Sequence, residues 1–295
     1  MRLVTFALDG QERIGAQVER SGKPCVLDLN QSHSALPVDM NAFLTAGEPA
    51  RVMARRALQE AKESAFLNEA DISLTAPVPH PGKILCLGHN YDDHIGRDRT
   101  QPSEFPIFFC KTANTVTGPG APIVIPPETA KVDFEGELAV VIGRRARRIA
   151  EKDAQSCVAG YTIFNDVSAR DYQKRTTQWM IGKSFDTFGP MGPVLITADE
   201  IPEPHALDLV LTLNGVVRQK TNTGRMIFTI PFLIAYLSAV MTLEPGDVIA
   251  TGTPARMPPA PGAPEFMRPG DIVRITIEKI GELANPVTAE KENPR

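Results

Sequence analysis

VDFEGELAVVI, residues 132–142, places Asp133, Glu135 and Glu137 at alternate positions and then runs into five apolar residues, Leu138 to Ile142. The apolar run has the length of a buried strand. Side chains at i and i+2 share a face of a strand, so the three acids are expected to point the same way. Like charges at that spacing repel. Two readings of the pattern stand: a solvated strand face, or a cluster held by a hard cation with oxygen ligands. Gly136, between the two glutamates, favours a close approach of backbone and ligand.

The rest of the chain arranges itself around this strand. Toward the C-terminus, residues 161–165, 194–197, 209–213, 248–251 and 272–277 are apolar runs of strand length, separated by Gly-Pro, Pro-Gly and Pro-Gly-Asp turns. Toward the N-terminus, residues 83–87 and 106–110 have the same character. Few helical patterns interrupt them, so a regular βαβ alternation is not expected. The exception is 226–241, where Thr229 is a candidate N-cap, Pro231 suits the first turn, and Phe232 to Met241 follow as core helix. Residues 1–75 form a separate pattern of three short strands (2–8, 13–19, 25–28) and a helix over 40–67, and residues 76–82, APVPHPG, read as a connector. The fold expected is α+β: a small N-terminal α+β domain over 1–75 and a β-rich catalytic domain over 76–295. The proline-rich stretch 254–269 is expected to be a loop near a site.

Composition narrows the function. A net charge of −4 speaks against nucleic acid or an anionic membrane as partner. The most apolar stretch, 226–241, is shorter than a membrane span. Four scattered cysteines, Cys25, Cys86, Cys110 and Cys157, form no C-x-x-C pair, which argues for free thiols and a cytoplasmic location rather than a disulfide framework or structural zinc. A phosphate-binding loop ending at Gly182-Lys183-Ser184 would need glycine where Thr177 stands, and no G-x-S-x-G, H-E-x-x-H or G-x-G-x-x-G motif is present.

Three further groups have chemical interest. Asp166 ends the apolar run 160–165 just before a helix start at Ser168-Ala169-Arg170; alone it would be a cap, but with Glu135 and Glu137 it makes three carboxylates for one cation. His94, in Asn90-Tyr91-Asp92-Asp93-His94, follows a strand and has the chemistry of a base at neutral pH, although a histidine there also suits a surface. Lys183, flanked by Gly182 and apolar residues, is either a turn lysine or a half-buried cation able to hold an enolate or carboxylate.

Taken together, GHNYDDH (88–94), DFEGELAVVIG (133–143), GYTIFNDVSARDYQ (160–173), QWMIGKSFDTFGPMGP (178–193), LEPGDVIATGTP (243–254) and RPGDIVRITIEKIGELANPV (268–287) resemble the fumarylacetoacetate hydrolase family in order and spacing. The resemblance implies a mixed β-sandwich or roll core and a homodimer. It implies one divalent cation, Mg²⁺ first and Mn²⁺ or Ca²⁺ next, on Glu135, Glu137 and Asp166. It also implies His94 as base or water activator, Lys183 beside the ion, and Arg170, Gln173 and Thr253 as substrate contacts. The activity implied is C–C bond hydrolysis of a 3-acylpyruvate or related 1,3-diketo acid; the alternative at the same site is a decarboxylase, tautomerase or lyase of a small 2-keto acid such as oxaloacetate. One departure bears on that choice. Hydrolytic relatives carry Glu three residues after the histidine, and Arg97 stands there. Arginine cannot accept a proton from histidine, so Asp98, Glu104 or Glu265 would have to substitute, or hydrolysis gives way to enolisation or decarboxylation. Arg97 would then suit a second anionic group of the substrate.

Overall fold

A computed structural model describes residues 1–94, 101–259, 261–262 and 264–291. The strands that build its two main sheets are, in chain order, β1 (Arg2–Leu8), β2 (Gln11–Arg20), β3 (Lys23–Asp28), β4 (Phe66–Asn68), β5 (Ile84–Gly88), β6 (Ile107–Lys111), β7 (Ile123–Ile125) and β8 (Gly136–Ile142). They continue with β9 (Val158–Asn165), β10 (Gly189–Thr197), β11 (Asp208–Leu213), β12 (Val216–Asn222), β13 (Val248–Ala250), β14 (Ile272–Ile277) and β15 (Gly281–Ala289). Besides a single turn at Leu29–Ser32, the α-helices of the described residues are α1 (Met40–Ala46), α2 (Glu48–Glu60), α3 (Arg170–Gln173), α4 (Met180–Lys183) and α5 (Ile230–Val240).

The main path of the large sheet has the order β4-β3-β2-β1-β10-β9-β8-β13-β5-β6, antiparallel along it except where β13 runs parallel to β5. The smaller sheet has the order β12-β11-β14-β15-β7. This is the mixed α+β, strand-rich architecture expected. Turns at Asp9-Gly10 and Ser21-Gly22 separate the first three strands, and β1 pairs with β10, so the N-terminal strands continue the large sheet.

β8 lies in the interior of the large sheet and is buried along its whole length. Leu138, Val140 and Ile142 share one apolar cluster with Leu209, Leu211, Val273 and Ile275 of the small sheet. Ala139 and Val141 join a second cluster with Met40, Phe43, Ala50 and Ala54 of α1 and α2. Alternation along one strand thus serves two cores, one per face, which is why β8 is a continuous apolar run rather than an alternating one.

Two sequence expectations need correction. The helix over 40–67 is two helices. Gly47, at φ +66°, breaks it, and beyond Glu60 the chain turns into the short edge strand β4. The positive φ ends one helix and redirects the next, a step that glycine takes without strain. The strand around β8 also does not extend back to Asp133. Val132 and Asp133 pair separately with Ala169 and Ser168, and residues 134–135 lie outside either strand. By contrast, α5 begins as expected, with the Thr229 hydroxyl accepting from the Phe232 N–H. All four cysteines are free thiols.

Gly160 of β9 sits where an added Cβ would lie 2.0 Å from the Ile196 carbonyl oxygen on β10. The clash is with backbone, which has no rotamer to yield. Gly160→Ala is expected to cost about 2 kcal/mol or more of stability, read as a lower melting temperature. An unchanged melting temperature would show that β9 and β10 open there without penalty.

Candidate metal centre and the cavity above it

Glu135, Glu137 and Asp166 converge, with one oxygen from each lying within 4.8 Å of the others. Pairing of β8 with β9 brings them together. Gly136 faces Asn165, the Asp166 N–H donates to the Glu135 carbonyl at 2.9 Å, and the Asn165 side chain accepts from the Glu135 N–H at 3.0 Å. Glu137 is fixed from the next strand: the Gly252 N–H, just past β13, donates to its Oε2 at 2.8 Å. Gly252 adopts φ +99°, and a Cβ there would lie 2.8 Å from the Asn90 Cβ, so only glycine suits that turn.

Cations surround the acids. Lys183, buried at the end of α4, donates from Nζ to Glu135 Oε2 at 2.5 Å and to Asp166 Oδ2 at 2.6 Å. Lys111, buried at the end of β6, donates to Asp166 Oδ1 at 2.8 Å and to the Val167 carbonyl at 3.0 Å. Arg170 donates to Asp133 from Nε (2.9 Å), to Gln173 from Nη1 (2.9 Å) and to Glu135 from Nη2 (2.6 Å). Burial pushes the Glu135 carboxyl up, but Arg170 and Lys183 outweigh it and hold it well below the usual carboxylate range. Burial also works against the Lys183 ammonium, and Asp166 and Glu135 more than restore it. Glu137 goes the other way: burial, then the charges of Asp166 and Glu135, push its carboxyl well above the usual range. A buried carboxylate raised by two neighbouring carboxylates is the group a cation would relieve. The all-oxygen donor set fits a hard divalent ion of the Mg²⁺, Mn²⁺ or Ca²⁺ kind.

Asp133 is not a fourth member of this set. Its two oxygens are taken by Arg170 (2.9 Å) and Arg256 (3.0 Å). The break at residues 134–135 ends the alternation that would have aimed it with the glutamates. The close approach at Gly136 is to Ile275 and Leu211 of the small sheet, with its N–H donating to Gln219 Oε1 at 2.9 Å, rather than to a ligand.

Above the acids opens a cavity of about 560 Å³. Its walls include His94, Glu135, Arg170, Gln173, Lys183 and Thr253, each anticipated from the sequence. Glu137 and Asp166 lie behind this wall. His94 Nε2 lies 2.9 Å from the Thr253 carbonyl, which can only accept, so Nε2 carries the proton of the neutral ring and Nδ1 is its basic nitrogen. The Thr253 hydroxyl is engaged by the Gly136 carbonyl at 2.9 Å and the Gln219 amide at 2.7 Å. Gln173 accepts from Arg170 through its side-chain oxygen.

Arg97 and Asp98 lie outside the described residues. Of the other acids considered as a substitute, Glu104 is exposed, and Glu265 is exposed and paired with Arg256 at 2.8 Å. Among the lining or supporting residues not anticipated are Lys111, Gln219, Arg256 and Trp179. Lys111 carried a usable signal, because like Asp166 it is a charge ending an apolar strand. Trp179, the one tryptophan of the chain, stands edge-on to Phe109 and His89 with ring centroids at 5.4 and 5.7 Å. Its ring lies 2.5 Å from where a Cβ on Gly88 would be, which no local pattern revealed.

Residues 83–288 match the fumarylacetoacetate (FAA) hydrolase C-terminal family. The chain belongs to the fumarylacetoacetate hydrolase family. Among relatives, it is 43% identical to the oxaloacetate tautomerase fahd2, mitochondrial, of Xenopus laevis over 291 residues, covering 97% of this chain and 90% of that protein. Among solved structures, it is similar to 5-carboxymethyl-2-hydroxymuconate delta-isomerase from Mycobacterium smegmatis, with TM-score 0.77 and 32% identity over 99% of this chain and 100% of that one. It is also similar to maleylpyruvate hydrolase from Sphingobium sp. SYK-6 in complex with manganese(II) and pyruvate, with TM-score 0.81 and 34% identity, again over 99% and 100%. The family therefore includes isomerases as well as hydrolases on this scaffold. The similarity fits the second reaction class anticipated from the sequence better than C–C hydrolysis.

Lys111→Met leaves Asp166 with one buried cation instead of two. The expected cost is about 3 kcal/mol in the metal-free protein, measured by denaturant unfolding. Lys111→Met combined with Asp166→Asn should cost less than the sum of the two single changes. Strict additivity would mean that the ion pair contributes nothing.

Proposed function

We propose that this protein is a divalent-metal-dependent keto–enol tautomerase of a small 2-oxo dicarboxylic acid of the oxaloacetate kind. The carrying observation is the charge of the cavity. Among the described residues, those that line it, the candidate ligands behind it and the lysine bound to them make four acids (Asp133, Glu135, Glu137, Asp166) against five cations (Lys111, Arg170, Lys174, Lys183, Arg256). A divalent ion adds two more positive charges, and a wall so charged suits a dianion rather than a neutral diketone or a monoanion. The similarity to oxaloacetate tautomerases over nearly the whole chain supports the same reading.

Held by Glu135, Glu137 and Asp166, the ion would chelate a 2-oxo carboxylate and act as Lewis acid toward its keto oxygen. The chain's residues do the rest. Arg170 and Lys183 clamp Glu135 from two sides and keep the acid cluster in ligand geometry. Lys183 Nζ adds positive charge beside the oxygen on which negative charge develops. His94 Nδ1, directed by the Nε2–H···O=C bond to Thr253, takes the C3 proton of the keto form. The C–H electron pair becomes the C2–C3 double bond, and the enolate oxygen takes its proton from water. The reverse sequence returns the keto acid. No water attacks carbon, so no acid is needed to aim one. Among the described residues, the two acids lining the cavity, Asp133 and Glu135, are already held by arginine or lysine.

Proton NMR of oxaloacetate with the Mg²⁺- or Mn²⁺-loaded protein tests this. Enol–keto exchange should accelerate, and EDTA should abolish the effect. Glu137→Gln should behave like the EDTA-treated protein, and His94→Ala should slow exchange by about 10²–10⁴-fold while retaining metal. Acylpyruvate cleavage with solvent oxygen in the acid product, and no faster exchange, would return the assignment to hydrolysis.

A further inference from the structure

The proline-rich loop after Thr253 brings a guanidinium into the cavity. Pro254, Ala255 and Arg256 line it together with Thr253. Arg256 donates from Nη1 to Asp133 Oδ1 (3.0 Å) and to the Glu265 carbonyl (3.1 Å), and from Nη2 to Glu265 Oε1 (2.8 Å). These contacts use three of the five N–H donors of a guanidinium. Arg170, on the other side of Asp133, is placed differently: its Nε, Nη1 and Nη2 are all directed to protein oxygens, one of them on Glu135.

Behind Arg256 stands a second arginine that has no ion-pair partner among the described residues. Arg218 of β12 is 3% exposed, lies over the Phe134 ring at 5.3 Å, and has a buried Nη2 that meets no hydrogen-bond partner among the described residues. Its Nε reaches only the Met257 carbonyl, at 3.4 Å. Burial, followed by the charge of Arg256, holds the Arg218 guanidinium below its ordinary range, the sign of two cations facing each other in poorly screened surroundings. Arg170 and Arg256 thus share one buried carboxylate, Asp133, with Arg218 close behind; among the described residues, the other acids in contact with the pair are Glu135, on Arg170, and the exposed Glu265, on Arg256. Such a group gains from an added anion.

We propose that Arg256, backed by Arg218, is the subsite for the second carboxylate of a four-carbon 2-oxo dicarboxylate. This rests on the tautomerase reading for the orientation of the substrate. With the first carboxylate and the keto oxygen turned toward Glu135, Glu137 and Asp166, the far carboxylate points away from them. Of the cations lining the cavity, Lys183 and Arg170 are bound to those acids, and Arg256 lies one carboxylate beyond Arg170. The loop that carries it therefore selects dicarboxylates over monocarboxylates, and Glu265 competes for the same guanidinium from outside.

The test is binding, which does not depend on turnover. Oxaloacetate and pyruvate differ by the far carboxylate, and their affinities for the Mg²⁺-loaded protein can be compared by calorimetry. The wild type is expected to prefer oxaloacetate by about ten- to a hundredfold, the worth of one charge-assisted bidentate contact. Arg256→Met should bring the ratio close to one. Arg256→Lys, which keeps the charge without the fork, should give an intermediate ratio. Glu265→Gln, which removes the competing carboxylate, should raise it. A wild type without preference, or a ratio that survives in Arg256→Met, overturns the proposal. So does a parallel loss of Mg²⁺ affinity with the ratio intact, since Arg256 would then act through Asp133 on the acid cluster. If Arg256→Met does not fold, unchanged ratios in both Arg256→Lys and Glu265→Gln overturn it. A protein that discriminates in binding yet does not speed enol–keto exchange would remove the tautomerase reading and leave this subsite standing.

Discussion

Mutual repulsion among Glu135, Glu137 and Asp166 is the constraint that organises this protein. Three carboxylates with oxygens within 4.8 Å of one another are not stable in a buried setting without compensation. The fold supplies it from three directions: Lys111 at the end of β6, Lys183 at the end of α4 and Arg170 on α3. Each cation arrives at the end of an element, where a long side chain can turn inward without interrupting a hydrogen-bonded ladder. The interior strand β8, with a core on each face, provides the rigid base from which the two glutamates project.

The protein's cations reach the site in layers. Lys111 and Lys183 touch the candidate ligands directly. Arg170 touches Glu135 and Asp133, and Arg256 touches Asp133 and Glu265. Charge therefore alternates outward from the acid cluster through Arg170, Asp133 and Arg256 to the loop over the cavity. An alternating series of buried pairs fixes geometry well, because displacing any member strands its neighbours. It also links the loop after Thr253 to the acid that Arg170 holds.

The same scaffold supports reactions that differ in whether water attacks carbon. They diverge at the acids and bases around the substrate. Here Asp133 and Glu135 are committed to arginine and lysine, and the His94 ring is turned by the Thr253 carbonyl. The relatives span both outcomes, an oxaloacetate tautomerase and a maleylpyruvate hydrolase among them, so the difference lies in side chains around the cavity rather than in the fold.

Much of this was legible along the chain. The strand β8, the acids that end it, Asp166 at the end of β9, the capped helix α5 and the turns between the first strands all follow from short-range patterns: apolar runs, i and i+2 spacing, caps and glycine turns. Those signals act over a few residues, so the sequence alone determined the strand-rich α+β class and most of the polar residues that meet at the cavity. Tertiary structure decided what those patterns cannot express. It removed Asp133 from the acid set, because the chain leaves the strand at residues 134–135 and two arginines from distant segments take its oxygens. It added Lys111, Gln219, Trp179 and Arg256, which lie far along the chain from the residues they serve, Arg256 being 123 positions from Asp133. Burial, too, belongs to the assembled sheets: Lys183 is an enclosed cation, where its local sequence also suited a turn on the surface. An ion pair in a dry interior depends on which strands become neighbours, and that depends on packing two cores at once rather than on the sequence of either partner.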